Sequence, residues 1–505
     1  MMTQDLPIVY VRGYAGTTSG INRAVDDPFY GFNLGSTHVR VGRKGDPIFY
    51  QFESPLLRLV LDRGYDLLVQ GGQEQYLDRQ PDESVTAKSI WIHRFYDVSA
   101  STWGERPQDF TLVNAAKDLL RLIKKIKAKT GAPRVHLVAH SMGGLICRCL
   151  VQKIIPESER GARAFGHVDR IFTYGTPHGG IVFDVGFGLI ERLRDEFGFA
   201  DADVFGPKRM YEYLTPGAEA GTVPPEGWSA RDMPEDEKAF PLSRVFCLIG
   251  TNPQDYGAAF GASSKAVGAK SDGLVQIENA YVPGADHAFV HRSHSGRFGL
   301  VNSEEGYQNL YRFLFGDVKI TADLECLPRF VLEGHDDIVW QAEVQLSVRG
   351  LPIVMAERVA AHHCPVQLLA SEKGSADRPV PLVTTYLSTE LSAHEFKRAR
   401  YVLRLRILSL RQTGGVFGFL DHLEQSADFD DNLVVDVEPR DGRLVTWAKW
   451  GSEIPVTLRE YEPQGDPLSD EDASEGAWRS RVPLPLSAGF LGGDTRISLT
   501  ARPHS

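Results

Sequence analysis

Ser141 is the residue of this chain best placed to do covalent chemistry. It lies in Arg134-Val135-His136-Leu137-Val138-Ala139-His140-Ser141-Met142-Gly143-Gly144. The apolar run 135–139 reads as a buried parallel strand, and residues 145–154 read as the helix that follows. A serine on the sharp turn between them has its Oγ lifted clear of the sheet, where a nucleophile must stand. Two positions before and after it come Ala139 and Gly143. Both are small, as they must be where strand and helix pack too closely for larger side chains. A serine hydroxyl is a poor nucleophile by itself. It needs a base to take its proton and a carboxylate to orient that base.

Two carboxylates compete for that place. Asp272 sits in Ser271-Asp272-Gly273-Leu274-Val275-Gln276, a tight loop packed down by Val275 and Ile277; Asp255 lies nearer the strand that ends at Gly250. Asp272 is the favoured one. Among bases, the stretch His291-Arg292-Ser293-His294-Ser295-Gly296 offers His294, flanked by small serines, with His291 and His287 as alternatives.

These groups need elements to hold them. The first strand, 8–11, breaks into Arg12-Gly13-Tyr14-Ala15-Gly16-Thr17. A short helix is expected over 55–60, strands over 65–69 and 89–96, and a helix over 110–129. The last carries one apolar stripe of Leu112, Ala116, Leu119, Leu122, Ile123 and Ile126. Its C-terminal lysines suit the helix dipole and read as a solvated face. A strand over 167–174 leads into Gly175-Thr176-Pro177-His178-Gly179-Gly180, a core strand follows at 245–250, and a helix over 303–315 closes the region. Short strands alternating with helices predict a mainly parallel sheet. Within the insertion 181–240, Phe183, Phe187, Ile190, Leu193 and Phe197 share one helical face. That face reads as a helical cap or lid, with Phe183, Phe187 and Ile190 as pocket candidates.

Residues 1–315 or so resemble the lipase/esterase branch of the α/β-hydrolase superfamily, within an expected domain of residues 1–316. The resemblance is carried by Ala139-His140-Ser141-Met142-Gly143-Gly144, Thr176-Pro177-His178-Gly179-Gly180, Ser271-Asp272-Gly273-Leu274-Val275 and the His294 loop. The second stretch is similar to the Thr-Pro-His segment of many bacterial lipases and GPI-inositol-deacylase-like proteins. Ala139 departs from the usual G-x-S-x-G, although Ala-x-Ser-x-Gly also occurs among lipases. The resemblance implies an α/β-hydrolase fold, a mainly parallel sheet with helices on both faces. It also implies the order nucleophile, acid, base, which Ser141, Asp272 and His294 follow. The oxyanion hole would be made by the backbone N–H groups of Tyr14 and Met142. Lipases usually carry His-Gly where this chain has Arg12-Gly13, so only the backbone donor transfers. The implied activity is hydrolysis of carboxylic esters of lipid or acyl type, through an acyl-enzyme and without a cofactor. An acyltransferase or amidase would use the same groups, and a non-catalytic binding protein could keep the same fold.

The remaining chain has a different texture. Residues 317–505 show alternating strand patterns, clearest at 340–348 and 495–501, and predict an antiparallel β-sandwich of seven to nine strands with no assigned role. Asp428-Phe429-Asp430-Asp431-Asn432 reads as a turn rather than a calcium loop, since it lacks the EF-hand pattern. A chain of 505 residues with 42% hydrophobic and 24% charged residues has room for more than one core. The net charge of −11 argues against nucleic acid as a partner. No apolar run reaches the roughly 18 residues that span a bilayer, and the N-terminus lacks a signal-peptide pattern. The five cysteines form neither a disulfide framework nor a zinc pattern, so no metal is expected. A cytoplasmic protein is therefore expected, with small-molecule or lipid ester substrates and at most transient contact with a lipid surface.

Overall fold

The computed structural model describes residues 5–13, 36–41, 47–52, 55–68, 72–95, 111–158, 163–181, 202–254, 269–296, 299–333, 338–368, 379–388, 398–411, 427–440, 443–472 and 477–504. By compactness the chain divides into two units. One comprises residues 1–287 with 291–310, the other residues 288–290 with 311–505.

The strands in chain order begin with β1 (Ile8–Val11), then a separate hairpin of β2 (Ser36–Val41) and β3 (Pro47–Phe52). There follow β4 (Asp66–Leu67), β5 (Ser89–Ile92), β6 (Val135–His140), β7 (Val168–Tyr174), β8 (Val245–Gly250) and β9 (Asp286–Val290). Apart from the hairpin they form one seven-stranded sheet in the order β4-β5-β1-β6-β7-β8-β9. Every pairing from β4 through to β8 is parallel. Strands β1, β5, β6, β7 and β8 are mostly apolar and buried because both faces are covered, with Asp169 and Arg170 as buried charges on β7. Val9, Val11, Leu137 and Ala139 join a large core cluster with helical residues. On alternate positions Phe172 and Phe246 stack with ring centres 5.1 Å apart.

Register decides what the sheet can present. Val11 pairs with Ala139, and Tyr174 pairs with His140. The loops leaving β1, β6 and β7 therefore emerge side by side at the carboxyl end of the sheet, where open α/β sheets place their ligands.

The main helices are α1 (Pro55–Arg63), α2 (Gln73–Arg79), α3 (Leu112–Thr130), α4 (Met142–Cys149), α5 (Pro207–Leu214) and α6 (Glu304–Phe315). Helix α3 begins where the Thr111 hydroxyl accepts from the Asn114 N–H and ends at Gly131 with φ 67°. Helix α4 starts immediately after Ser141, earlier than the apolar pattern suggests. It continues through a π turn (Leu150–Ile154) into Ile155–Ser158. The strand expected over 65–69 shrinks to two residues, and that over 89–96 ends at Ile92.

In the second unit the strands are β10 (Val318–Glu325), β11 (Ile338–Val348), β12 (Val354–Arg358), β13 (Val366–Gln367), β14 (Val380–Leu387), β15 (Ala399–Arg411), β16 (Phe429–Arg440), β17 (Arg443–Trp450), β18 (Trp478–Pro483) and β19 (Arg496–Pro503). They form two antiparallel sheets, β14-β10-β19-β18 and β12-β11-β15-β16-β17, with β13 paired to β11. Four strands and six exceed the expected seven to nine. The stretch 428–432 is not a turn, because residues 429–432 open β16. Its acidic residues are tolerated there because Arg404 grips Asp430 through two bonds of 3.0 and 2.7 Å. Among the described residues no helix is long and apolar enough to cross a membrane.

Candidate active site

Ser141 occupies the junction of β6 and α4 with φ 54° and ψ −127°, a conformation L-residues rarely adopt. Such strain costs about 1–3 kcal/mol and survives only where the surroundings impose it. Here they do. The Ser141 N–H donates to the Tyr174 carbonyl at 2.9 Å, and its own carbonyl accepts from Thr176 Oγ1 at 2.8 Å and from the Gly144 N–H at 3.0 Å. Close packing fixes the residue types around the turn. A Cβ on Gly143 would run into the Val11 and Arg12 carbonyls, and one on Gly144 into the Thr176 side chain.

The other side chains come from two loops. Asp272 turns back on itself: its Oδ1 accepts from the Val275 N–H at 2.8 Å and the Leu274 N–H at 3.0 Å. Its Oδ2 lies 2.8 Å from His294 Nδ1, and its carbonyl accepts from the His294 N–H at 2.8 Å. His294 Nε2 in turn lies 2.9 Å from Ser141 Oγ. All three side chains are buried, the serine at 7% exposure. With a carboxylate accepting at Nδ1, the proton of a neutral imidazole sits there and Nε2 is left to accept from the serine. The arrangement can take a proton from Ser141 Oγ. It can also hold the resulting imidazolium against a buried carboxylate.

Residues 54–298 match the family model described as alpha/beta hydrolase family. The N-terminal unit is an alpha/beta-hydrolase domain. The match begins after β1, yet β1 pairs with both β5 and β6 in this sheet. Solved structures similar to the chain include the product of the Listeria innocua gene lin2722, at 14% identity and TM-score 0.25, covering 62% of this chain and 94% of that one. A carboxylesterase from Bacillus subtilis is similar at 13% identity and TM-score 0.20, covering 62% and 84%. No curated protein sequence matches the chain.

The hydrolase domain thus brings Ser141, Asp272 and His294 into one hydrogen-bonded run. The alternative histidines lie elsewhere: His291 Nδ1 is 3.4 Å from Thr251 Oγ1, and His287 stacks on Tyr281 while its Nδ1 meets the Ala285 carbonyl at 3.1 Å. Met142 is the first residue of α4 and fully buried, so its N–H has no carbonyl one turn back to meet. Tyr14, Asp255, Phe183, Phe187 and Ile190 lie outside the described residues. Among the described residues no group of three or more His, Cys, Asp or Glu could hold a metal ion. All five cysteines are free thiols, and burial pushes Cys149 up to about 12 and Cys247 up to about 11.

Three buried residues, Arg148, Lys153 and His178, have partners that the sequence does not announce. Arg148 on α4 is buried and donates to the carbonyls of His178 (3.0 Å), Ala230 (2.7 Å) and Asp232 (2.8 Å), and to Gln152 Oε1 (2.8 Å). Burial pulls its pKa down to about 10, so it remains a cation at neutral pH. Lys153 Nζ donates to the Glu212 carbonyl at 2.6 Å and the Ala218 carbonyl at 2.5 Å. The described part of the insertion, 202–240, is thereby laced to the helix that follows Ser141. His178 is fully buried, with Nε2 3.2 Å from Thr173 Oγ1, and burial lowers its pKa well below the usual value.

Proposed function

We propose that the hydrolase domain cleaves carboxylic esters, of lipid or acyl type, with Ser141 as nucleophile, His294 as general base and Asp272 orienting the base. One observation carries this reading: the buried run from Asp272 Oδ2 through His294 to Ser141 Oγ, at 2.8 and 2.9 Å, set at the head of a helix. As Oγ attacks the ester carbonyl, its proton passes to His294 Nε2. The developing oxyanion lies at the N-terminus of α4, where the Met142 N–H and the helix dipole favour negative charge. The Tyr14 N–H, from the loop after β1, is the proposed second donor. Each such donor is worth about 3 kcal/mol. His294 then protonates the leaving alcohol, and water regenerates Ser141 from the acyl-enzyme. This route consumes no cofactor.

The lipid or acyl preference rests on the motif resemblance, with Phe183, Phe187 and Ile190 as proposed lining. We assign catalysis to a domain of residues 1–316 and leave 317–505 as a C-terminal β-sandwich domain of unassigned role. The test is a p-nitrophenyl ester series from acetate to palmitate, with the wild type and Ser141→Ala in parallel. Hydrolysis abolished by the substitution supports the reading, and the chain-length optimum then names the acyl class. Silence toward every ester, with turnover of amides or acyl transfer to glycerol, would replace hydrolysis of esters by those reactions.

A further inference from the structure

His140 stands one residue before the proposed nucleophile, and the reaction as written gives it no part. Its Nε2 lies 2.9 Å from the His294 carbonyl oxygen. A carbonyl can only accept, so that nitrogen carries the proton. The two imidazoles sit with ring centres 5.0 Å apart, inclined at 42°. The space beside His140 is closed by Gly13, where even a Cβ would come within 3.1 Å of His140 Nδ1. The backbone of His294 is therefore gripped on both sides, its N–H by the Asp272 carbonyl at 2.8 Å and its C=O by His140.

We infer that His140 is a positioning residue, whose Nε2–H bond to the His294 carbonyl holds the general base in register with Ser141 Oγ. The inference rests on the serine-hydrolase reading of the same site. A base needs such a hold because one of its two side-chain bonds is transient. The contact from His294 Nε2 to Ser141 Oγ disappears whenever the serine is acylated, and the ring must then receive a water proton in the same place. An anchor on the main chain survives that change, as the Asp272 contact at Nδ1 does, and leaves the ring held at two points while the serine contact is absent. The anchor also suits the charge that develops. Burial and the neighbouring His294 push the pKa of His140 down to about 3, so no second cation faces the imidazolium.

The experiment measures the rate at which a fluorophosphonate labels Ser141 in the full-length protein, alongside the melting temperature. His140→Phe keeps a ring of similar size and loses the donor; His140→Gln keeps an N–H at comparable reach. Labelling should slow about tenfold to a hundredfold in the Phe variant, the scale of a small misplacement of a reacting group, and stay within about threefold of wild type in the Gln variant. His140→Met serves the same arm should the Phe variant not fold. Labelling of the Phe or Met variant at the wild-type rate would overturn the inference, as would a Gln variant slowed as much as either. A wild type that takes no label would instead overturn the serine-hydrolase reading itself.

Discussion

At the scale of residues, the site depends on a serine held at φ 54° between two loops that fold back on it. Removing charge from the orienting carboxylate tests the logic without disturbing much shape. Asp272→Asn should lower kcat by about 10³–10⁴-fold, because an amide no longer selects the productive tautomer of His294. Its melting temperature should remain near that of wild type, since an amide oxygen can still accept from Leu274 and Val275. Gly143→Ala tests the elbow from the packing side. The added methyl meets two backbone carbonyls of β1 and its loop, and should destabilise by about 1–3 kcal/mol in chemical denaturation. Ser141, Asp272 and His294 could be singled out from sequence because each lies in a distinctive small-residue or Asp-Gly turn. Thr176 and His140 could not be given their parts. Their partners are main-chain carbonyls, the one 35 and the other 154 residues away, and a carbonyl has no residue type to read.

At the scale of elements, the helix after Ser141 does two jobs: it presents its N-terminus to the site and ties down the insertion. Arg148→Met should cost several kcal/mol, since the buried carbonyls of His178 and Ala230 lose a donor at about 1–3 kcal/mol each and the partly buried Asp232 carbonyl loses one too. Proteolysis within 202–240 should quicken in step. Acid should loosen the same domain. Burial lowers the His93 pKa from 6.5 to about 4, and it lowers those of His140 and His178 too. A group depressed in the fold contributes stability above its unfolded pKa and loses it as pH falls toward the folded value. Denaturation midpoints should therefore drop between about pH 6.5 and pH 4, with His93 alone responsible for about 3 kcal/mol. A His93→Gln variant should show a shallower fall. The apolar strands and helix α3 were legible because their periodicity is strong. The π turn, the hairpin of β2 and β3, and the true ends of β4 and β5 were not, since these are set by packing and pairing rather than by local pattern.

At the scale of the whole molecule, the change of sequence texture near residue 316 accompanies a change of architecture, from a parallel sheet to two antiparallel ones. Residues 429–432 look like turn chemistry, yet cross-strand arginines make them strand. The second unit should answer acid differently. Burial and the neighbouring Glu325 raise the Asp323 pKa to about 6. A carboxyl raised in the fold is costly when ionised, so its contribution improves as pH falls through about 6 toward its unfolded value. Hydrogen exchange at pH 7 and pH 5, corrected for intrinsic rates, should show protection lost in the hydrolase domain and β10 unchanged or better protected. The most direct test of the account is to treat the full-length protein with a fluorophosphonate, weigh it intact and map the adduct. One adduct per chain is expected, on Ser141, absent from Ser141→Ala and much slowed in His294→Ala. An adduct on another residue, or none, would contradict it.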